Sequence, residues 1–81
     1  ADMLNYLARV LESKSLNLSC VLYHVVFASD PSHPYAGANF AIALHKLGHE
    51  DAAREIAAQA LESNELSEWG KNALMQENLT P

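Results

Sequence analysis

The chain has 81 residues, of which 49% are hydrophobic and 19% charged, and its formal net charge is −5. This length suffices for one small domain, and the hydrophobic content is typical of a folded chain rather than a disordered one. The five basic residues (Arg9, Lys14, Lys46, Arg54 and Lys71) form no cluster, which argues against a nucleic-acid or membrane-surface partner because both are held by grouped positive charges.

Two helices are predicted in the first third of the chain. Within residues 2–14 the apolar side chains recur every three or four positions, which indicates an amphipathic helix. The next segment, residues 16–29, has a centre at residues 20–27 that is apolar on nearly all sides and rich in residues that favour strands. The rest of the chain is patterned for helices and offers no partner strand, so this segment is predicted to be a helix buried between neighbours.

Three more helices are predicted after the proline-containing segment 30–34. Proline ends a helix and is tolerated in a first turn, so this segment separates the second helix from the third. The third helix is expected to end at Gly48, since glycine readily takes the left-handed cap conformation. A fourth apolar stripe spans residues 52–61, and a less regular one spans residues 66–74.

A period of 34 residues relates the two halves of the chain. The pairs in one register are Asn5 and Asn39, Val10 and Leu44, Leu22 and Ile56, and Phe27 and Leu61. The second unit, residues 34–67, resembles the tetratricopeptide motif. The matching residues are Phe40-Ala41 at its Leu-Gly pair, Leu44 at its tyrosine, Gly48 at its turn glycine, and Ala53 and Ala60 at its two small helix-contact sites. Residues 30–34 also resemble the linker between repeats of that family.

The chain departs from the family pattern at several positions. Gly37 stands where a large aromatic is usual, Ala57 where a bulky ring is usual, and Glu65 where proline is usual. In the first unit, which matches less well, Lys14 replaces the turn glycine. A generic five-helix bundle is the alternative to a repeat array.

The resemblance implies an all-α fold, a short α-solenoid of two antiparallel helical hairpins and a C-terminal capping helix. The hairpins are residues 1–33 and 34–65, the capping helix is residues 66–79, and residues 1–81 form one domain. Two repeats leave an apolar edge, so the last helix is expected to cover the fourth through Leu66, Trp69 and Leu74.

The same resemblance implies a protein-binding module, because the first helix of each unit lines a concave groove in this family. The partner-binding residues implied are Asn5, Tyr35, Asn39, Ile42, Lys46 and Trp69. The asparagines match residues that in one branch of the family hold a bound peptide's backbone or carboxylate. Because the basic residues that complete a carboxylate clamp are missing, a free C-terminal carboxylate is not the expected ligand. The two aromatic residues are expected either to anchor the partner or to be packing residues between units.

The wider groove surface is expected to show further residues of the first and last helices. These are Leu4, Ala8 and Glu12 before the second unit, and Asn72 and Gln76 after it.

No motif in the sequence points to catalysis, a cofactor or a metal. His45 and His49 are four residues apart, but the expected helix end at Gly48 lies between them, and no further ligand has a matching spacing. Glycine-rich phosphate loops and nucleophile-elbow motifs are absent from the sequence. We therefore expect a non-enzymatic protein with a protein or peptide partner.

Other features concern location and context. A single cysteine, Cys20, cannot close an internal disulfide and is expected to be a buried thiol. The start of the chain lacks the features of a signal peptide, so a cytoplasmic location is expected. The alternative function is a helical accessory or oligomerisation domain of a larger enzyme or regulator. Homo-oligomerisation and membership of a longer chain are both compatible with the sequence.

Overall fold

The computed structural model describes residues 2–80, with the backbone alone for Asp2, and these residues form five α-helices. The helices are α1 (Asp2–Leu11), α2 (Leu16–Ser29), α3 (Ala36–Lys46), α4 (Glu50–Glu62) and α5 (Glu68–Gln76). No strand occurs among the described residues, so the predicted all-α class is confirmed, including the helix over the strand-like residues 16–29. None of these helices is long and apolar enough to cross a membrane.

Local sequence determines where the helices begin and end. The hydroxyl of Ser15 accepts a hydrogen bond from the backbone N–H of Leu18 and caps the start of α2, and Ser67 caps α5 in the same way. Gly48, with φ of 87°, follows the end of α3 in the left-handed conformation that glycine adopts at little cost. The turn before α3 depends on the buried His33, whose Nδ1 accepts from the N–H groups of Tyr35 and Ala36.

Helices α3 and α4 form an antiparallel hairpin with a close contact between small residues. Gly37 in the first turn of α3 lies against Ala60 in the last turn of α4, and a Cβ atom added to Gly37 would lie 2.6 Å from the Cβ of Ala60. Ala41, Ala53 and Ala60, which the sequence marks as small contact sites, are all buried. The missing aromatic at position 37 is explained by Phe27, whose Cε1 would be 3.1 Å from the added atom.

The core has two adjoining parts. The first lies among α1, α2 and α3, where the ring of Phe40 packs against the rings of Phe27 and His24 at centroid distances of 6.0 and 5.0 Å. The second lies among α3, α4 and α5. Leu44 and Ile56 contact both parts, so one continuous core joins all five helices.

The position of α5 differs in part from the expected one. Leu66 and Leu74 are buried against the alanines of α4, as expected for residues that cover its apolar edge. Trp69, by contrast, is half exposed and packs against Tyr35 rather than against α4. Helix α5 makes most of its helix contacts with α3. Leu79, which follows α5, supplies the remaining apolar cover and is itself buried.

Candidate functional site

Two buried asparagines, 34 residues apart in sequence, meet between α1 and α3. The Nδ2 of Asn39 donates a hydrogen bond to Oδ1 of Asn5 over 3.3 Å, and the two residues are 8% and 7% exposed. This bond uses one donor and one acceptor of the pair, and an asparagine amide offers two N–H donors and one carbonyl oxygen. Neither amide has a fully buried polar atom without a partner. Nδ2 of Asn5 and Oδ1 of Asn39, which the bond does not use, therefore keep some exposure to solvent.

An aromatic pair stands beside the asparagines. Tyr35, just before α3, and Trp69, in α5, pack edge to face with ring centroids 5.9 Å apart. Tyr35 also contacts the ring of His33 at 6.0 Å. The two rings are 43% and 49% exposed. Each ring thus makes a packing contact and still presents an accessible surface.

These residues line a groove that runs along α3 between α1 and α5. Its first part, of about 230 Å³, is lined by Asn5, Arg9, Tyr35, Asn39 and Trp69. Its second part, of about 310 Å³, is lined by Arg9, Glu12, Asn39, Ile42, Lys46, Trp69, Ala73, Gln76 and Glu77. The two parts share three residues and form one surface, called the groove below. All six residues predicted to bind a partner lie in it.

The charges in the groove are arranged unevenly. At one end, Nζ of Lys46 lies 3.8 Å from Oε1 of Glu12, and Oε2 of Glu12 accepts a hydrogen bond from the hydroxyl of Tyr23 over 2.9 Å. Burial, and then this hydrogen bond and the carboxylate charge, raise the pKa of Tyr23. Arg9 forms no ion pair with any other described residue. The groove therefore contains one unpaired positive charge, next to the asparagine pair.

The sequence reasoning missed three groove residues, Arg9, Ala73 and Glu77, of which Arg9 lies beside the asparagine pair. It follows Asn5 by four positions, so both side chains lie on the same side of α1. The spacing of four residues from Asn5 could have indicated that Arg9 lies in the groove. Arg9 was not considered because it does not occupy a position of the carboxylate clamp in the family that the sequence resembles. Glu12 and Gln76 lie in the groove as expected.

Three of the wider groove residues are elsewhere. Ala8, expected in the groove, is fully buried, and its carbonyl oxygen accepts a hydrogen bond from the hydroxyl of Ser19 over 2.7 Å. Because the side chain of Ala8 is only a methyl group, α1 can approach α2 closely at this position. Ala8 is therefore buried against α2 instead of lining the groove. Leu4 and Asn72 are exposed but do not line the groove.

Outside the groove, the polar side chains with a chemical interest are those of His45 and Cys20. Among the side chains of residues 3–80, no group of three or more His, Cys, Asp or Glu residues is placed to hold a metal ion. His45 contacts the carboxylates of Glu50 and Glu77 and so links α3 to the start of α4 and the end of α5. Cys20 is a buried free thiol, and burial raises its pKa, which disfavours the reactive thiolate.

Comparison with known proteins gives no match for this chain among family models, curated proteins or solved structures. The tetratricopeptide resemblance therefore stays a prediction. We therefore infer the function from the geometry of the groove.

Proposed function

We propose that this protein is a tetratricopeptide-like interaction module that binds a segment of another protein in the groove. The observation that carries the proposal is the combination of asparagine amides and two half-exposed aromatic rings in one concave surface. None of the described residues that line the groove is a serine, threonine, cysteine or histidine, so binding rather than catalysis is its proposed role.

The asparagine pair suits an extended peptide. Every peptide unit carries a donor and an acceptor that must be satisfied when it leaves water. The accessible amide groups of Asn5 and Asn39 supply both, and their mutual hydrogen bond holds the side chains in place before a ligand arrives. A pre-ordered site loses less conformational entropy on binding, which favours affinity.

The aromatic pair suits an apolar side chain of the same peptide. Tyrosine and tryptophan are enriched at binding hot spots because they offer large contact areas with few rotatable bonds. Tyr35 and Trp69 restrict one another through their edge-to-face contact, yet about half of each ring is accessible. Arg9 adds an unpaired charge nearby, so an acidic residue beside the apolar one is the favoured partner sequence.

The repeat architecture is part of the proposal. It is supported by the 34-residue register, by the contact between Asn5 and Asn39 at equivalent positions, and by the small residues where α3 meets α4. On this proposal the first helices of successive units, α1, α3 and α5, line the same groove. We place the protein in the cytoplasm as part of the same proposal.

Trp69 provides a direct assay because it is the chain's only tryptophan and lies in the groove. Peptides selected from a random displayed library are titrated against the wild type and against Tyr35→Ala and Asn39→Ala. We expect the tryptophan emission to change on binding and both variants to lose about tenfold or more in affinity, as expected for loss of a hot-spot contact.

The matched control is Gln59→Ala, on the exposed side of α4 outside the groove. Circular dichroism checks that each variant keeps its helices. If selected peptides bind both groove variants as tightly as Gln59→Ala while all are folded, the groove is not the binding site and the proposal is wrong.

A further inference from the structure

The first two helices carry an exposed apolar surface that the groove does not use. It consists of Met3, Tyr6, Leu7 and Val10 of α1 and Leu18, Val21 and Val25 of α2, called the α1–α2 face below. These seven side chains are 44% to 82% exposed. Together they present roughly 600 Å², whereas apolar patches above a few hundred Å² on a soluble protein mark interaction surfaces.

Helix geometry directs this face away from the rest of the molecule. On α1, Asn5 points to α3, and Met3 and Val10 lie roughly 140–160° around the helix from it at 100° per residue. On α2, the ring of Phe27 packs on α3, and Leu18 and Val25 lie on the far side. The apolar side of an amphipathic helix normally faces the core. In α1 the apolar side faces outward, as expected for a helix that packs against another molecule or segment.

The internal register indicates what kind of element covers such a face. Met3 and Tyr6 correspond to Gly37 and Phe40 of α3 at the 34-residue period. In α3 both of these residues are buried and lie close to Phe27 of the preceding helix α2. The α1 residues of the α1–α2 face therefore have the position and spacing of a surface that receives another helix.

We propose that the α1–α2 face binds the same face of a second copy of this chain and forms a two-fold symmetric dimer. Each partner in a stable protein interface buries about 800 Å², and the seven side chains with their neighbours approach that area. A two-fold contact covers the apolar surface of both copies at once, and its symmetry ends the assembly at two chains.

The charge distribution favours this orientation. Residues 1–48 contain three acidic residues (Asp2, Glu12 and Asp30) and three basic ones (Arg9, Lys14 and Lys46), so their net charge is zero. The whole net charge of −5 thus belongs to residues 49–81. Copies that meet through α1 and α2 keep their acidic halves apart, whereas contact through α4 and α5 would bring two strongly negative surfaces together.

Among the described residues, the opposite end at α4 and α5 offers no comparable surface for a head-to-tail contact. The alanines of α4 are covered by Leu66, Leu74 and Leu79, all of which are buried. Identical faces are thus the favoured pair. Because the groove lies along α3 between α1 and α5, the dimer presents two grooves, which increases the avidity for a partner with two binding segments.

Sedimentation equilibrium over a range from low to high micromolar concentration tests the proposal on the wild-type chain. We expect a monomer–dimer equilibrium. Tyr6→Glu on α1 and Val21→Glu on α2 are expected to raise the dissociation constant roughly tenfold or more, because each places a charge in an apolar interface. Both residues are exposed in the single chain, so circular dichroism should show that the variants keep the helix content of the wild type.

Met75→Glu is the matched control, since Met75 is also an exposed apolar residue but lies on α5. It should leave dimerisation unchanged. A wild type that is monomeric at every concentration would overturn the proposal and assign the face to a preceding helical unit or a different protein. An equal loss of dimer in Met75→Glu would also overturn it. Peptide affinity per chain is measured in parallel and should be the same in all variants, which separates this test from that of the groove.

Discussion

The contact between Gly37 and Ala60 allows a quantitative prediction about the α3–α4 hairpin. In an ordinary helix, replacing glycine with alanine stabilises by about 1 kcal/mol. Here the new methyl group would lie 2.6 Å from the Cβ of Ala60 and 3.1 Å from Cε1 of Phe27. A Cβ atom has no rotamer by which to move away, so the two helices must separate. Overpacking of this kind costs about 1–3 kcal/mol, and we expect Gly37→Ala to destabilise the protein by up to about 2 kcal/mol.

A double-mutant cycle isolates the contact from helix propensity. Ala60→Gly alone should cost about 1 kcal/mol because glycine disfavours the helix. In the double variant the methyl group is moved from α4 to α3, and the closest contact disappears. We therefore expect Gly37→Ala and Ala60→Gly together to be more stable than the sum of the single effects by about 1–2 kcal/mol. Urea unfolding followed by circular dichroism measures each free energy of unfolding.

Ala58→Gly is the matched control for helix propensity. Ala58 is in the same helix, two residues away, but is exposed. Its combination with Gly37→Ala should be additive. If Gly37→Ala and Ala60→Gly are also additive within about 0.5 kcal/mol, the two residues do not form the close contact between α3 and α4 and the reasoning fails.

Three further predictions concern the core and the response to pH. Ala53→Asp should unfold the protein, because the carboxylate would be buried without a partner, whereas Glu55→Ala on the exposed side of α4 should leave the melting temperature nearly unchanged. Leu74→Ala should cost about 2–5 kcal/mol in urea unfolding and the exposed Met75→Ala less than about 0.5, and equal effects would contradict the packing of α5. Because the pKa of Tyr23 is raised in the folded protein, its neutral hydroxyl contributes stability below the usual tyrosine pKa of 10.0, and this stability is lost as the pH rises above 10.0. Tyr23→Phe should therefore flatten the decline of the free energy of unfolding at alkaline pH. The same decline in the variant as in the wild type would contradict this role of Tyr23.

The sequence was sufficient to predict the helices because their signals are local. The apolar spacing, the proline-containing linker and Gly48 are all features of short segments. The end of the first helix was less well predicted: α1 ends at Leu11, whereas the pattern suggested residue 14. There the structure has a turn before Ser15, whose side chain caps α2. The cap could have been recognised from sequence, since serine is a preferred N-cap residue.

The groove residues were predicted from the family resemblance, and the contacts among them were not. Two pairs of residues 34 positions apart, Asn5 with Asn39 and Tyr35 with Trp69, line the same surface. The hydrogen bond from Asn39 to Asn5 depends on the distance between two helices, and no local pattern specifies that distance. The burial of Ala8 depends likewise on the rotation of α1 about its own axis.

That rotation links the two proposals. Three polar contacts fix α1: Ser19 donates to the carbonyl of Ala8, Asn39 to Asn5, and Tyr23 to Glu12. Each is worth only about 1 kcal/mol when formed, but a buried polar group costs more when its partner is lost. A rotation that turned the apolar side of α1 inward would break all three. The hydrogen bonds therefore select the orientation that forms the groove, and the same orientation leaves the apolar side exposed for association with another helix.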